Sequence, residues 1–419
     1  MSQELIDFCT MTGRKPSSNK FHAGLLQLVY NEIVPLTGLD NYVIPTILVD
    51  DGSLQTFYAD SPVNGIVLDE GYLASFAGLF RTIVAGENPI EVATPLVRAI
   101  ASILEYEGRP VEALMLRHER VSGLYALDSS ARQIRVMMDC DVLLERLELI
   151  AGIGSTRMTE LCLAYLVMHE YGHWLYNEHS QEGSLASVVE EIRNHVGDLL
   201  AEGPSDNMRV LAKEAGINVD LYGSNMPANL VEETFCDQFT AGAMYAYAAK
   251  TGMEWQTCFV MLACMHEANR LHIRAREIAF DFTGAQAFLA RKPSFGSAIV
   301  QRSMSSANVR SHFASTGLRG YVPTIFREYG GVELENATIV SQGNDLSSQA
   351  LRYLTYLAGP LSEKTIYLLL RSVESKRHDT EVHGFFRNLA ERFEITDSVT
   401  ERAAFERIVA DETRDFLSF

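Results

Sequence analysis

Apolar and polar positions alternate with several different periods along this chain. Residues 21–36 (FHAGLLQLVYNEIVPL) place apolar side chains at helical intervals. The period then shortens. YVIPTILVD (42–50), LQTFYAD (54–60) and GIVLDEG (65–71) read as short strands, with Asp51-Gly52 and Asn64-Gly65 as turns between them. From 73 to 107 the pattern is helical again, and 133–139 (QIRVMMD) reads as one more strand. A long helix is predicted from Ser155, with Ser155 or Thr156 at its cap and TELCLAYLVMHEYGHWLY following. The stretch 181–228 is polar and mixed, with short helices predicted over 183–201 and 205–215. A second long helix starts near Asn229, where Asn229 and Glu232 have capping-box spacing behind Pro227. A third spans about 254–279. Residues 291–345 are rich in Gly, Ser and Asn and read as a loop-rich connector. Residues 346–419 read as helical, with a second capping box at Ser398 and Glu401.

These patterns predict an α+β chain that is mostly helical. An N-terminal part (1–145) carries a small antiparallel or mixed sheet, a helical core spans 146–290, a connector spans 291–345, and a helical C-terminal region spans 346–419. With 419 residues, two or three domains are expected and a large core can be buried.

Composition narrows the function classes. Lys and Arg total 35 against 54 Asp and Glu, for a formal charge of −19. Such a surface repels phosphate backbones, so no nucleic-acid partner is expected. The six cysteines (Cys9, Cys140, Cys162, Cys236, Cys258 and Cys264) form no C-x-x-C pair, and several sit in apolar runs. Free buried thiols in a reducing compartment are the expectation. The first residues lack a basic start followed by an apolar stretch, and no apolar run reaches the roughly 18–20 residues that span a bilayer. A cytoplasmic protein with no membrane partner is expected.

One motif changes the picture. His169-Glu170-Tyr171-Gly172-His173 is an H-E-x-x-H on a helix whose preceding stretch, LCLAYLVM, is apolar enough to be buried. Residues four apart lie on one helical face, so two imidazoles can converge on one ion. Neutral imidazole nitrogens suit Zn2+. Glu170 cannot easily reach the same ion, but it is placed to take a proton from a water there. The plain alternative is a pair of hydrogen-bonded core histidines.

A zinc site of this kind needs a third protein ligand, and two candidates compete. His179 lies ten residues after His169, the spacing of H-E-x-x-H-x-x-G-x-x-H. The glycine that turns the chain in that pattern is Tyr176 here, although Asn177 offers another helix exit. The other candidate is Glu233 on the second long helix. Asp237, one turn further, can accept the free N–H of a ligating histidine. Alternatively, Glu232, Glu233 and Asp237 are a solvated acidic first turn favoured by the helix dipole.

The pairing of HEYGH with EETFCD resembles the gluzincin branch of zinc metallopeptidases. Thermolysin, the CAAX prenyl proteases and the ImmA/IrrE-type bacterial peptidases share it, and a phage-exclusion peptidase of the Lit type is a more distant likeness. The resemblance covers about 155–250 and the strand content before it. It implies a zincin-like core with His169, His173 and Glu233 as zinc ligands, Glu170 as general base and Asp237 as the partner of a ligating histidine. It also implies that an extended protein or peptide substrate binds against an edge strand.

The expected function is therefore a zinc-dependent endopeptidase, of narrow specificity or held in check by a regulatory protein partner, in a bacterial cytoplasm. Two rivals stand beside it: a non-catalytic zincin-fold binding or sensor module, and a metal-dependent hydrolase of a non-peptide amide. Tyr222, His266, Arg270 and His272 are candidate oxyanion donors. His195 reads as a surface helix residue, and 181–228 as either a lid or a plain insertion. No Walker A sequence, no G-x-G-x-x-G after a strand and no G-x-S-x-G occurs.

Overall fold

The computed structural model describes residues 3–39, 42–86, 89–118, 140–202, 230–284, 320–358 and 372–393, the last without 374 and 377. It is mostly helical, with one small sheet. Helices α1 (Gln3–Met11) and α2 (Lys20–Glu32) open the chain. Asn19 caps α2, its side chain accepting from the amides of Phe21 and His22. Strands β1 (Thr46–Val49), β2 (Thr56–Ala59) and β3 (Gly65–Asp69) follow.

The sheet order is β1-β3-β2, with β1 parallel and β2 antiparallel to β3. The sheet is thus mixed, and β3 lies in the middle although it comes last. Its composition explains the position: all five residues of GIVLD are buried, as a central strand covered on both faces requires. β2 is an edge strand whose first three residues are only partly buried. The predicted strand at 133–139 lies outside the described residues.

β3 runs straight into α3 (Glu70–Ala85), capped by the Asp69 side chain through the Gly71 amide at 2.8 Å. Helices α4 (Pro89–Tyr106), α5 (Pro110–His118) and α6 (Asp141–Ala151) follow. The central helix α7 spans Ser155–His179. Neither Ser155 nor Thr156 caps it. Gly154 holds the cap position with a φ of 90°, and Ser155 is already helical.

Helix α8 covers Gly183–Glu202, α9 Leu230–Thr251 and α10 Trp255–Gly284. The helix predicted over 205–215 and the Asn229 cap lie outside the described residues, as does the capping box at Ser398 and Glu401. Helix α11 covers Val322–Gly330, α12 Asn336–Ala358 and α13 Thr380–Phe393.

The described end of the 291–345 stretch is thus helical, not loop-rich. Its glycines end a helix and allow packing. Gly331 caps α11 with a φ of 64°, and a Cβ on Gly330 would lie 2.9 Å from the Ala249 carbonyl oxygen of α9.

One hydrophobic cluster runs from Leu25 to Phe386 and includes side chains of α2, α3, α7, α9, α10 and α12. Within α7, nearly every residue from Met158 to Gly172 is buried. A helix apolar all round is a core helix, so His169 and Glu170 lie within the buried stretch, with His173 just beyond its end and partly buried. All six cysteines are buried and free. Among the described residues no helix is long and apolar enough to cross a membrane.

Candidate metal centre

The site forms where α7 and α9 cross. They meet tightly at Gly172, where a Cβ would lie 2.8 Å from the Cα of Cys236. This lets side chains one turn to either side meet across the gap. His169, His173 and Glu233 each offer a ligand atom, and these atoms all lie within 4.8 Å of one another. His169 is buried, and the other two are partly buried. The two imidazole rings stand 5.0 Å apart and nearly perpendicular.

Carboxylates fix both rings from behind. Asp237 Oδ1 lies 3.2 Å from Nδ1 of His169, and Glu232 Oε1 lies 2.7 Å from Nδ1 of His173. Each ring therefore turns its Nε2 toward Glu233, at 3.5 Å for His169 and 3.9 Å for His173. Two neutral-imidazole nitrogens and one carboxylate, each imidazole braced by an acidic partner, are a donor set that can hold a divalent metal ion.

The electrostatics follow from burial among acids. Burial alone would lower the pKa of His169. The hydrogen bonds and charges of Asp237 and Glu233 outweigh it, and the group is pushed up to about 10. Glu170 is 3% exposed, and burial raises its carboxyl, with His173, His169 and the backbone N–H of Tyr58 pulling the other way. Cys236 sits among these carboxylates, and burial followed by their charges raises its thiol well above the ordinary range. It stays a neutral thiol and is no nucleophile.

Helix α7 is also tied to the sheet. The Tyr171 hydroxyl accepts the Ile44 amide at 3.1 Å, just ahead of β1. The Asn177 amide donates to Asp60 at 3.0 Å, just beyond β2.

The structure thus brings together His169, Glu170, His173, Glu233 and Asp237. It does not bring in His179. With Tyr176 in place of a turn-forming glycine, α7 continues to His179, whose Nδ1 lies 3.1 Å from Glu182 and whose ring packs against Trp174 and Tyr42. Nor are the expected oxyanion donors free for that work. His272 donates from Nε2 to the Leu54 carbonyl at 3.2 Å, Arg270 is bidentate on Glu267, and His266 Nδ1 pairs with the Tyr165 hydroxyl at 2.9 Å. Tyr222 lies outside the described residues. His195 is exposed on α8, as a surface residue should be.

Sequence reasoning missed Glu232, which it read as a capping residue. A usable signal was present, because two ligating histidines need two Nδ1 partners and Asp237 can serve only one. Comparison with protein-family models, with curated proteins and with solved structures returned no match to this chain.

Proposed function

We propose that this protein is a zinc-dependent endopeptidase. The observation that carries the reading is the arrangement of His169, His173 and Glu233 around one point, with Asp237 and Glu232 behind the two rings and Glu170 beside them. A structural cluster of core histidines needs no carboxylate within reach of both Nε2 atoms. A metal centre does.

When bound, a zinc ion would supply Lewis-acid polarisation of a carbonyl and acidification of a water. The remaining work belongs to side chains of this chain. Asp237 and Glu232 hold the two imidazoles in the tautomer that leaves Nε2 for the metal. Glu170 takes the proton of the attacking water and passes it to the leaving amine. Edge strand β2 packs against α7, the helix that carries Glu170, and among the described residues no strand pairs with its outer side. An extended peptide backbone suits such an edge, which favours a peptide over a small amide as substrate.

Two measurements test the reading. Metal analysis of the purified protein should find about one zinc per chain, lost in His169→Ala and His173→Ala. A survey of new protein N-termini after expression should find cleavages with the wild type that vanish with Glu170→Gln. A metal-free wild type, or identical N-termini in both strains, would overturn it.

A further inference from the structure

The start of α9 and the rest of that helix belong to different cores. Ala241, Met244, Tyr245 and Ala248 lie in the main hydrophobic cluster. Leu230, Val231, Phe235 and Cys236 lie in a second one, whose other buried members are Val189, Ile192 and Val196 of α8. With the partly buried Leu185, these α8 residues recur at the spacing of a single helical face. Glu190, Glu191, Asn194 and His195 lie off that face and are exposed. Helix α8 thus turns its apolar stripe to the start of α9.

That start carries the acidic residues of the candidate centre. Glu232 and Glu233 lie between Val231 and Phe235 in the chain, so the seating of those two apolar side chains sets where both carboxylates emerge. Helix α7 joins the same cluster through Leu175 and Tyr176. The Tyr176 and Phe235 rings lie 5.7 Å apart, with 52° between their planes. Tyr176 is one turn beyond Gly172, and Phe235 is next to Cys236, so this ring pair borders the tight contact of the two helices. A glutamate has three rotatable bonds, and a ligand is held in place only as firmly as the backbone that carries it is packed.

We propose that Tyr176 and Ile192 are positioning residues for the metal centre: through the second cluster they fix the turn of α9 that presents Glu233 to His169 and His173. The inference rests on the metal-binding part of the peptidase reading and adds to it α8 and the end of α7. Tyr176 then has two effects. It keeps α7 helical, which carries His179 away from the cluster, and its ring steadies the helix that offers Glu233 instead.

The test uses the full chain and needs no substrate. Zinc affinity is read by competition with a chromogenic chelator, and stability by urea unfolding of the metal-free protein. Tyr176→Ala and Ile192→Ala should each weaken zinc binding about tenfold, as loss of a group that orients a ligand does. Tyr176→Phe keeps the ring and should bind zinc as the wild type does. Leu79→Ala truncates a buried side chain of the main cluster, and should lower urea stability with zinc affinity unchanged. In a Glu233→Ala background Tyr176→Ala should have no further effect on affinity. If an alanine variant fails to fold, Tyr176→Leu and Ile192→Val carry the same test, with an expected loss of about threefold. Unchanged affinity in the Tyr176 and Ile192 variants, equal weakening by Leu79→Ala, or a Tyr176 effect that persists without Glu233 overturns the proposal while leaving the metal reading intact. A wild type that takes up no zinc overturns both.

Discussion

Gly172 and Cys236 meet backbone to backbone, so close that a Cβ on the glycine would stand 2.8 Å from the cysteine Cα and 3.1 Å from its sulfur. Gly172 is the second variable position of H-E-x-x-H, and Cys236 follows Glu233 by three residues. The spacing of the three candidate ligand side chains is therefore set by a glycine that is not one of them. Gly172→Ala should push α9 away from α7. The expected loss of stability is about 1–3 kcal/mol, the usual range for overpacking a filled core. Urea unfolding measures that loss, and a zinc titration should show weaker binding. Unaltered zinc affinity would mean that the helices have slack to spare.

Glu232 and Asp237 should behave alike although only one was expected. Glu232→Gln and Asp237→Asn each remove the acidic brace of one imidazole while leaving all three ligand atoms in place. Zinc affinity should fall about 10–100-fold in each case. Competition with a chromogenic chelator reads the change. If Glu232→Gln binds zinc as the wild type does, Glu232 is only a first-turn helix residue.

Metal loading should depend on pH through His169. In the metal-free protein this group is pushed up to about 10 by Asp237 and Glu233 against the effect of burial. The protonated ring must lose its proton before Nε2 can bind metal, so affinity should rise with pH across the neutral range and binding should release a proton. Calorimetry in buffers of different ionisation enthalpy counts that proton. The same shift makes the metal-free fold more stable below about pH 6.5, where the contribution of His169 is complete, with the contribution lost as pH rises through about 10.

His272 predicts the opposite slope on the acid side. Burial lowers its pKa to about 3, while the bond to the Leu54 carbonyl opposes the fall. An unfolded histidine titrates near 6.5, so between about 6.5 and 3 the unfolded chain binds more protons. Stability due to His272 is complete above 6.5 and drains away as pH falls toward 3, by about 2–3 kcal/mol at pH 4.5. His272→Gln should flatten the acid limb of a urea stability profile. An unchanged limb would assign the acid sensitivity to other groups.

Much of the site was legible because helical geometry is local. Four-residue spacing puts His169 and His173 on one face whatever surrounds them, and Glu233 and Asp237 obey the same rule on α9. The three strands were legible from their short period and turns. Their order was not, since nothing in GIVLD says that β3 inserts between β1 and β2 except that every one of its residues is buried. The glycine-rich stretch misled for a related reason. Gly330 and Gly331 look like loop residues in sequence, yet one is needed for contact with Ala249 and the other for a left-handed helix end. Only the position of α9 distinguishes those uses from a loop.

The crossing of α7 and α9 also sets a time order during synthesis. His169 and His173 leave the ribosome well ahead of Glu233, and until α9 has emerged and seated on Gly172 the two imidazoles lack their carboxylate partners. A growing chain thus carries only half of the cluster, and the two rings gain their acidic partners only when a helix made some sixty residues later reaches them.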